Sequence, residues 1–194
     1  ALSANAGSNN TALGSLALQA TTGTLNTALG KQAGLSITSG EQNTIVGSNA
    51  GDALTDADHN VAMGYLALSA DTLGSRSTAL GYQTLASQNF TSATNSYNVA
   101  VGYIAGNLIS TGTQNTLVGS LTGDALSEGN NNAAFGYASL GNDTLGAQAT
   151  AVGYLALNQQ NFTSSTANYN VGVGSQAGRF ITTGLQNTLI GGLA

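Results

Sequence analysis

The side chains able to do acid–base or metal chemistry are few: one His and eight Asp or Glu in 194 residues, with no Cys. His59 sits in the stretch "DADHN" with Asp56 and Asp58 beside it. An acid–base pair needs two groups held within hydrogen-bond reach of a substrate. The matching stretch 72 residues later, "EGNNN" at 128–132, has no His. His59 therefore reads as an exposed turn residue, and neither catalytic residues nor a cofactor are expected. Asp52 and Asp124 occupy equivalent places after Gly51 and Gly123, and so do Asp71 and Asp143. In an assembly of three chains each could form a ring of carboxylates, which Ca²⁺ prefers. Asp beside Gly also bonds its own backbone in turns, and that reading is the expectation, with no metal site. The recurring Gly residues lack the Gly-Lys-Ser/Thr ending of a phosphate loop. Net charge is −5 without any basic stretch, which argues against nucleic-acid binding.

Aromatic side chains offer recognition chemistry instead. Two eleven-residue stretches, "QNFTSATNSYN" (88–98) and "QNFTSSTANYN" (160–170), each hold one Phe and one Tyr. Phe90, Tyr97, Phe162 and Tyr169 are the candidate binding residues, because loops on rigid scaffolds carry function. The other reading has Phe90 and Phe162 folding back to cap a widened core. Asn89, Asn161 and Asn142 begin Asn-x-Thr sequons, which matter only in a host that glycosylates Asn. Tyr65, Tyr82, Tyr103, Tyr137 and Tyr154 all follow a Gly at near-constant spacing, suggesting a partial stacking column used for packing.

The elements positioning these residues follow from a repeat. Phrases such as "NTALG" (26–30), "NTIVG" (43–47) and "NVAVG" (98–102) recur eleven times. Their closing Gly residues (14, 30, 47, 64, 81, 102, 119, 136, 153, 174, 191) are 17 apart, with one gap of 16 and two of 21. Four such periods form a 72-residue unit: 30–101, 102–173 and a partial 174–194 within one repeat region, 1–194. Charged residues are only 6%, against about 25% in ordinary domains. Seventeen residues are too few for a helical hairpin repeat but suit one coil of a β-solenoid with two short strands. The slot three before each Gly is Thr or Val, except at Ala133, which favours strand. The slot before each Gly is a large apolar residue, and the slot two before is mostly Ala. Alternate residues face opposite ways, so burial on both faces is expected. We expect the large slot, with Leu80, to fill the interior and carry Thr inward with it, and the small slot to let neighbouring chains approach. Asn four before the Gly, nine times in eleven, predicts a buried amide ladder. A thin coil cannot cover its second apolar face alone. Association is expected, with three chains the simplest closed fibre. The sequence also starts and stops in mid-phrase, suggesting a piece of a longer protein.

"NVAMGYLAL" (60–68), "STALGYQTL" (77–85) and "ATAVGYLAL" (149–157) resemble the head repeats of trimeric autotransporter adhesins. They resemble more closely the repeats of bacteriophage tail-fibre and other appendage proteins. The resemblance covers essentially the whole chain. It implies an all-β fold, a left-handed parallel β-roll, three intertwined or side-by-side chains, and a rigid surface spike. The expected function is a virion fibre that projects toward a host cell surface and binds it, through a glycan or protein. Its expected place is a virion surface or the outside of a cell. The head of a bacterial adhesin is the alternative. An ice-binding solenoid is a third reading, disfavoured by the inward Thr expected above.

Overall fold

The computed structural model describes residues 1–3 and 6–194. Each Thr-Ala-Leu-like triplet ahead of a repeating Gly forms a three-residue strand, from Thr11–Leu13 to Thr188–Ile190. Among the described residues eleven such strands make one parallel sheet in chain order. Thr11 pairs with Thr27 and Thr27 with Thr44, so like residues stack on like. The register survives the longer period: Thr78 pairs with Val99 across the first four-residue expansion. The fold is thus a parallel β-solenoid of about eleven coils, with no helix among the described residues. Parallel coils about 4.8 Å apart make the sheet roughly 50 Å long.

The expected second strand does not form directly after the repeating Gly; a second strand, two residues long, occurs only at Gly74–Ser75, Thr94–Asn95, Gly146–Ala147 and Thr166–Ala167 among the described residues. After each repeating Gly the chain turns, and the turns stack by backbone hydrogen bonds instead. Gln32 donates to the Ser15 carbonyl (2.8 Å) and Asn49 to that of Lys31 (2.9 Å). The turns require left-handed backbone at residues that ordinarily avoid it, such as Leu66 (φ 55°) and Leu68 (φ 54°). Each such residue costs about 1–2 kcal/mol locally, offset by the ladder that holds every coil in one shape. The repeating Gly has a separate cause. Gly119 sits at φ 138°, and a Cβ there would stand 2.5 Å from the Gly136 carbonyl oxygen in the next coil.

The faces of the sheet are the reverse of the expectation. The small slot is inside: Ala28, Ile45, Ala62, Ala79, Ala100, Leu117, Ala134 and Ala151 are buried. The large slot is outside, where Met63 is 46% and Phe135 40% exposed. Leu80 lies on this outer side, partly covered, and Thr78 shares its face. The interior has no room for the larger column because the turns fill it. Four and seven residues after each repeating Gly come paired positions that exchange volume. Leu68 and Leu85 at the first place accompany Asp71 and Gln88 at the second; Gly51 and Gly106 accompany Leu54 and Ile109. A Cβ on Gly51 would meet Leu54 Cδ1 at 2.9 Å and Ile45 Cδ1 at 3.1 Å. The bulkier small-slot residues, Ile45 and Leu117, thus lie where Gly leaves space. Close packing leaves no other solution for a coil this narrow.

The Asn ladder forms as expected. Asn115 Nδ2 donates to the Gly129 carbonyl (2.8 Å), and its Oδ1 accepts the Asn132 backbone N–H (3.0 Å). Asn26, Asn43 and Asn60 repeat the pattern in the first coils. Each amide satisfies groups in neighbouring coils that burial would otherwise orphan.

Candidate functional site

The expanded coils separate their two aromatics. Phe90 and Phe162 are buried, at 5% and 6% exposure, while Tyr97 and Tyr169 are 49% and 53% exposed. The Phe rings therefore close the widened core, and the Tyr rings face solvent. Both tyrosines occupy left-handed backbone, with φ 51° and 53°. The Arg76 guanidinium lies 5.9 Å from the Tyr97 ring centroid, a cation–π distance. Position 148, equivalent to Arg76, is Gln, so Tyr169 lacks this partner. Between the aromatics, Thr91, Ser92, Ala93 and Asn95 are exposed in one bulge, and Thr163, Ser164 and Ser165 in the other. Thr94–Asn95 returns as a short strand against Gly74–Ser75, and Thr166–Ala167 against Gly146–Ala147.

A buried polar network anchors each bulge. The Asp71 carboxylate accepts the backbone N–H groups of Gly74 (3.0 Å) and Phe90 (3.2 Å), and Gln88 Nε2 at 2.5 Å. Gln88 Nε2 also donates to Ser77 Oγ (2.8 Å), while its Oε1 accepts Asn98 Nδ2 (2.8 Å). Asp143, Gly146, Phe162, Gln160 and Asn170 repeat these bonds, apart from the one to Ser77, whose counterpart is Ala149. Burial pushes the Asp71 carboxyl above its usual range. The bonds from Gln88 and from the Phe90, Gly74 and Thr72 amides pull it partly back. A Cβ on Gly74 would overlap the Asp71 carboxylate and the Phe90 ring. The "DTLG" and "QNF" phrases of successive coils are therefore one device: Asp holds, Gly makes room, Gln bridges, Phe closes. Sequence reasoning missed this link. The signal was there, since the Asn ladder breaks at Ser77 and Ala149, in the coils that carry "DTLG". Gln88 and Gln160 supply the missing amide.

Three of the remaining acids accept hydrogen bonds within or between coils. Asp58 Oδ1 accepts the Glu41 N–H (2.8 Å), and Asp56 Oδ1 accepts Ser39 Oγ (2.5 Å). His59 is exposed and donates its backbone N–H to the Glu41 carbonyl. Asp52 Oδ2 accepts Asn49 Nδ2 (3.0 Å). Burial raises the Asp124 carboxyl, partly countered by a hydrogen bond with its own backbone. Among the described residues no group of three His, Asp or Glu could hold a metal ion.

The tyrosines after the repeating Gly do stack. Ring centroids lie 5.6 Å apart for Tyr65–Tyr82, 5.3 Å for Tyr82–Tyr103 and 5.7 Å for Tyr137–Tyr154. All five rings are about half exposed. Beside them run the outward large column and the outward Thr/Val column. From Val61 to Tyr154 neither these columns nor the tyrosine column carries a charge. The site geometry thus comprises an uncharged apolar sheet face, a tyrosine edge and two polar bulges. No protein-family model matches the chain, and no match is found among curated proteins or solved structures.

Proposed function

We propose that the chain is the rod of a surface fibre, formed by three copies packed through the outward sheet face. In this reading the coils are left-handed and the fibre belongs to a virion, as a tail fibre or similar appendage. It projects toward a host cell and attaches to its surface, with the exposed bulges of the expanded coils facing outward. The observation carrying the proposal is the sheet face itself. Leu13, Leu29, Met63, Phe135, Val152 and Ile190 line it, exposed and uncharged, over eleven strands. Monomers rarely leave so long an apolar stripe open. The head of a bacterial trimeric adhesin would share this architecture and differ in its flanking domains. Solution mass at several concentrations tests the assembly, with three times 19.2 kDa expected. Binding of the labelled rod to candidate host cells tests attachment. A mass of one chain at all concentrations would end the fibre reading.

A second reading gains one observation. Thr11, Thr27 and Thr44 are exposed on the outer face, where an ice-binding array would need them. Neighbouring side chains vary from Val to Phe, which disrupts a regular lattice. A freezing-point hysteresis assay decides it.

A further inference from the structure

The tyrosine column has one missing rung with a ring on each side of it. The strands Val99–Val101, Thr116–Val118 and Ala133–Phe135 are consecutive neighbours in the sheet. The residues placed just beyond them are Tyr103, Ser120 and Tyr137. The backbone runs through this stretch as it does through the stacked pairs. Leu121 N–H donates to the Tyr103 carbonyl and Ala138 N–H to that of Ser120, both at 2.9 Å. Ile104 N–H does the same to Tyr82, also at 2.9 Å. Only the middle ring is absent. Among the described residues, stacking joins Tyr65 to Tyr82 to Tyr103, and Tyr137 to Tyr154, but not Tyr103 to Tyr137. The equivalent positions in the other units, Ser48 and Gly192, are also small, but residues 31 and 175 are Lys and Ser. Among the described residues the two-sided slot therefore occurs once.

We propose that this slot binds a pyranose ring of a neutral glycan, clamped between Tyr103 and Tyr137 over Ser120. The inference rests on the attachment reading and gives it a ligand class. Two coil steps of about 4.8 Å set the ring levels roughly 9.6 Å apart. A flat ring touching both tyrosines at about 3.5–4.0 Å spans roughly 7.5 Å and leaves the slot loose. A chair-shaped sugar takes up the difference with the axial hydrogens on its two faces. The polar partners also fit a sugar. Ser120 is partly exposed and its hydroxyl makes no hydrogen bond among the described residues, so it is free to meet a ring hydroxyl. The flanking columns hold no charge from Val61 to Tyr154, which favours a neutral ligand over an acidic one. Within the stacks the ring faces are covered by one another, so the slot is where two faces remain open together.

The test uses the assembled wild-type protein against an array of neutral oligosaccharides of glucose, galactose, mannose and N-acetylglucosamine. Hits are titrated by intrinsic tyrosine fluorescence, which is unobstructed because the chain has no Trp. Tyr103→Ala and Tyr137→Ala are each expected to weaken binding at least tenfold. Ser120→Tyr, which completes the column, is expected to abolish it with unchanged mass and melting temperature. Tyr65→Ala, three coils away, is expected to bind as wild type. Glycan binding that survives Ser120→Tyr overturns the proposal, and so does an array without hits. Loss of assembly in Ser120→Tyr also overturns it, by showing that a second copy fills the slot. Attachment to cells that persists in Ser120→Tyr refutes the slot but leaves the attachment reading standing. Absence of cell attachment by wild type refutes that reading itself.

Discussion

A single amide in this rod serves three coils. Asn115 bonds backwards to Asn98 Oδ1 through its own backbone N–H, and forwards to the Gly129 carbonyl and the Asn132 N–H. Asn115→Ala orphans the last two, both buried, at about 1–3 kcal/mol each. The expected result is a clear fall in the denaturant midpoint. A shift within error would show the ladder to be ornamental. Asp71 is the residue with a pH signature. Its carboxyl titrates above the unfolded value of 3.8. Its stabilising contribution is therefore fully present below that pH and lost as pH rises through the folded value. Wild type should gain stability relative to Asp71→Asn as pH falls from neutrality towards 3.8. Denaturant titrations of both proteins across that window check this, and a constant difference would contradict it. The ladder was legible in the Asn recurrence, whereas the Asp71 network was not. Its members come from two coils and touch only once the coils stack.

At the scale of the coil, volume is exchanged between fixed positions. Gly51 with Leu54 fills the space that Leu18 with Thr21 fills two coils earlier. Gly51→Leu alone should overpack the interior by about 1–3 kcal/mol. Combined with Leu54→Thr and Ile45→Ala, the loss should be smaller than the sum of the three by about 1 kcal/mol or more. Strict additivity in thermal melts would deny the exchange. The bulge divides in the same manner. Phe90→Ala empties a buried position and should cost about 3–5 kcal/mol, while Tyr97→Ala should stay within about 0.5 kcal/mol. Equal effects in unfolding experiments would mean the two rings share one environment. The stretch "QNFTSATNSYN" revealed where the extra residues go. It left open whether Phe90 points outward to bind or folds back into the core, because the choice depends on the Asp71 carboxylate that fixes the Phe90 backbone N–H (3.2 Å).

For the whole molecule, the outward face decides assembly. Leu80 belongs to that face, so Leu80→Asp is expected to leave the circular dichroism spectrum unchanged and reduce the solution mass to one chain. Leu117→Asp places a charge in the interior and should abolish the fold. If Leu80→Asp unfolds the chain instead, the outer face is part of the coil's own core.

The sequence by itself determined the coil length, the in-phase register, the strand position, the amide ladder and the tyrosine stacking. Each is a local property repeated at a fixed period, so stacking like on like is the only arrangement that satisfies every coil at once. Only the tertiary structure decided which apolar column faces in. Alternation assigns Ala79 and Leu80 to opposite sides without naming the inner one. That choice depends on the space left after Leu68, Leu85 and their counterparts fill the turns. The space emerges when the coil closes, and it admits the smaller column.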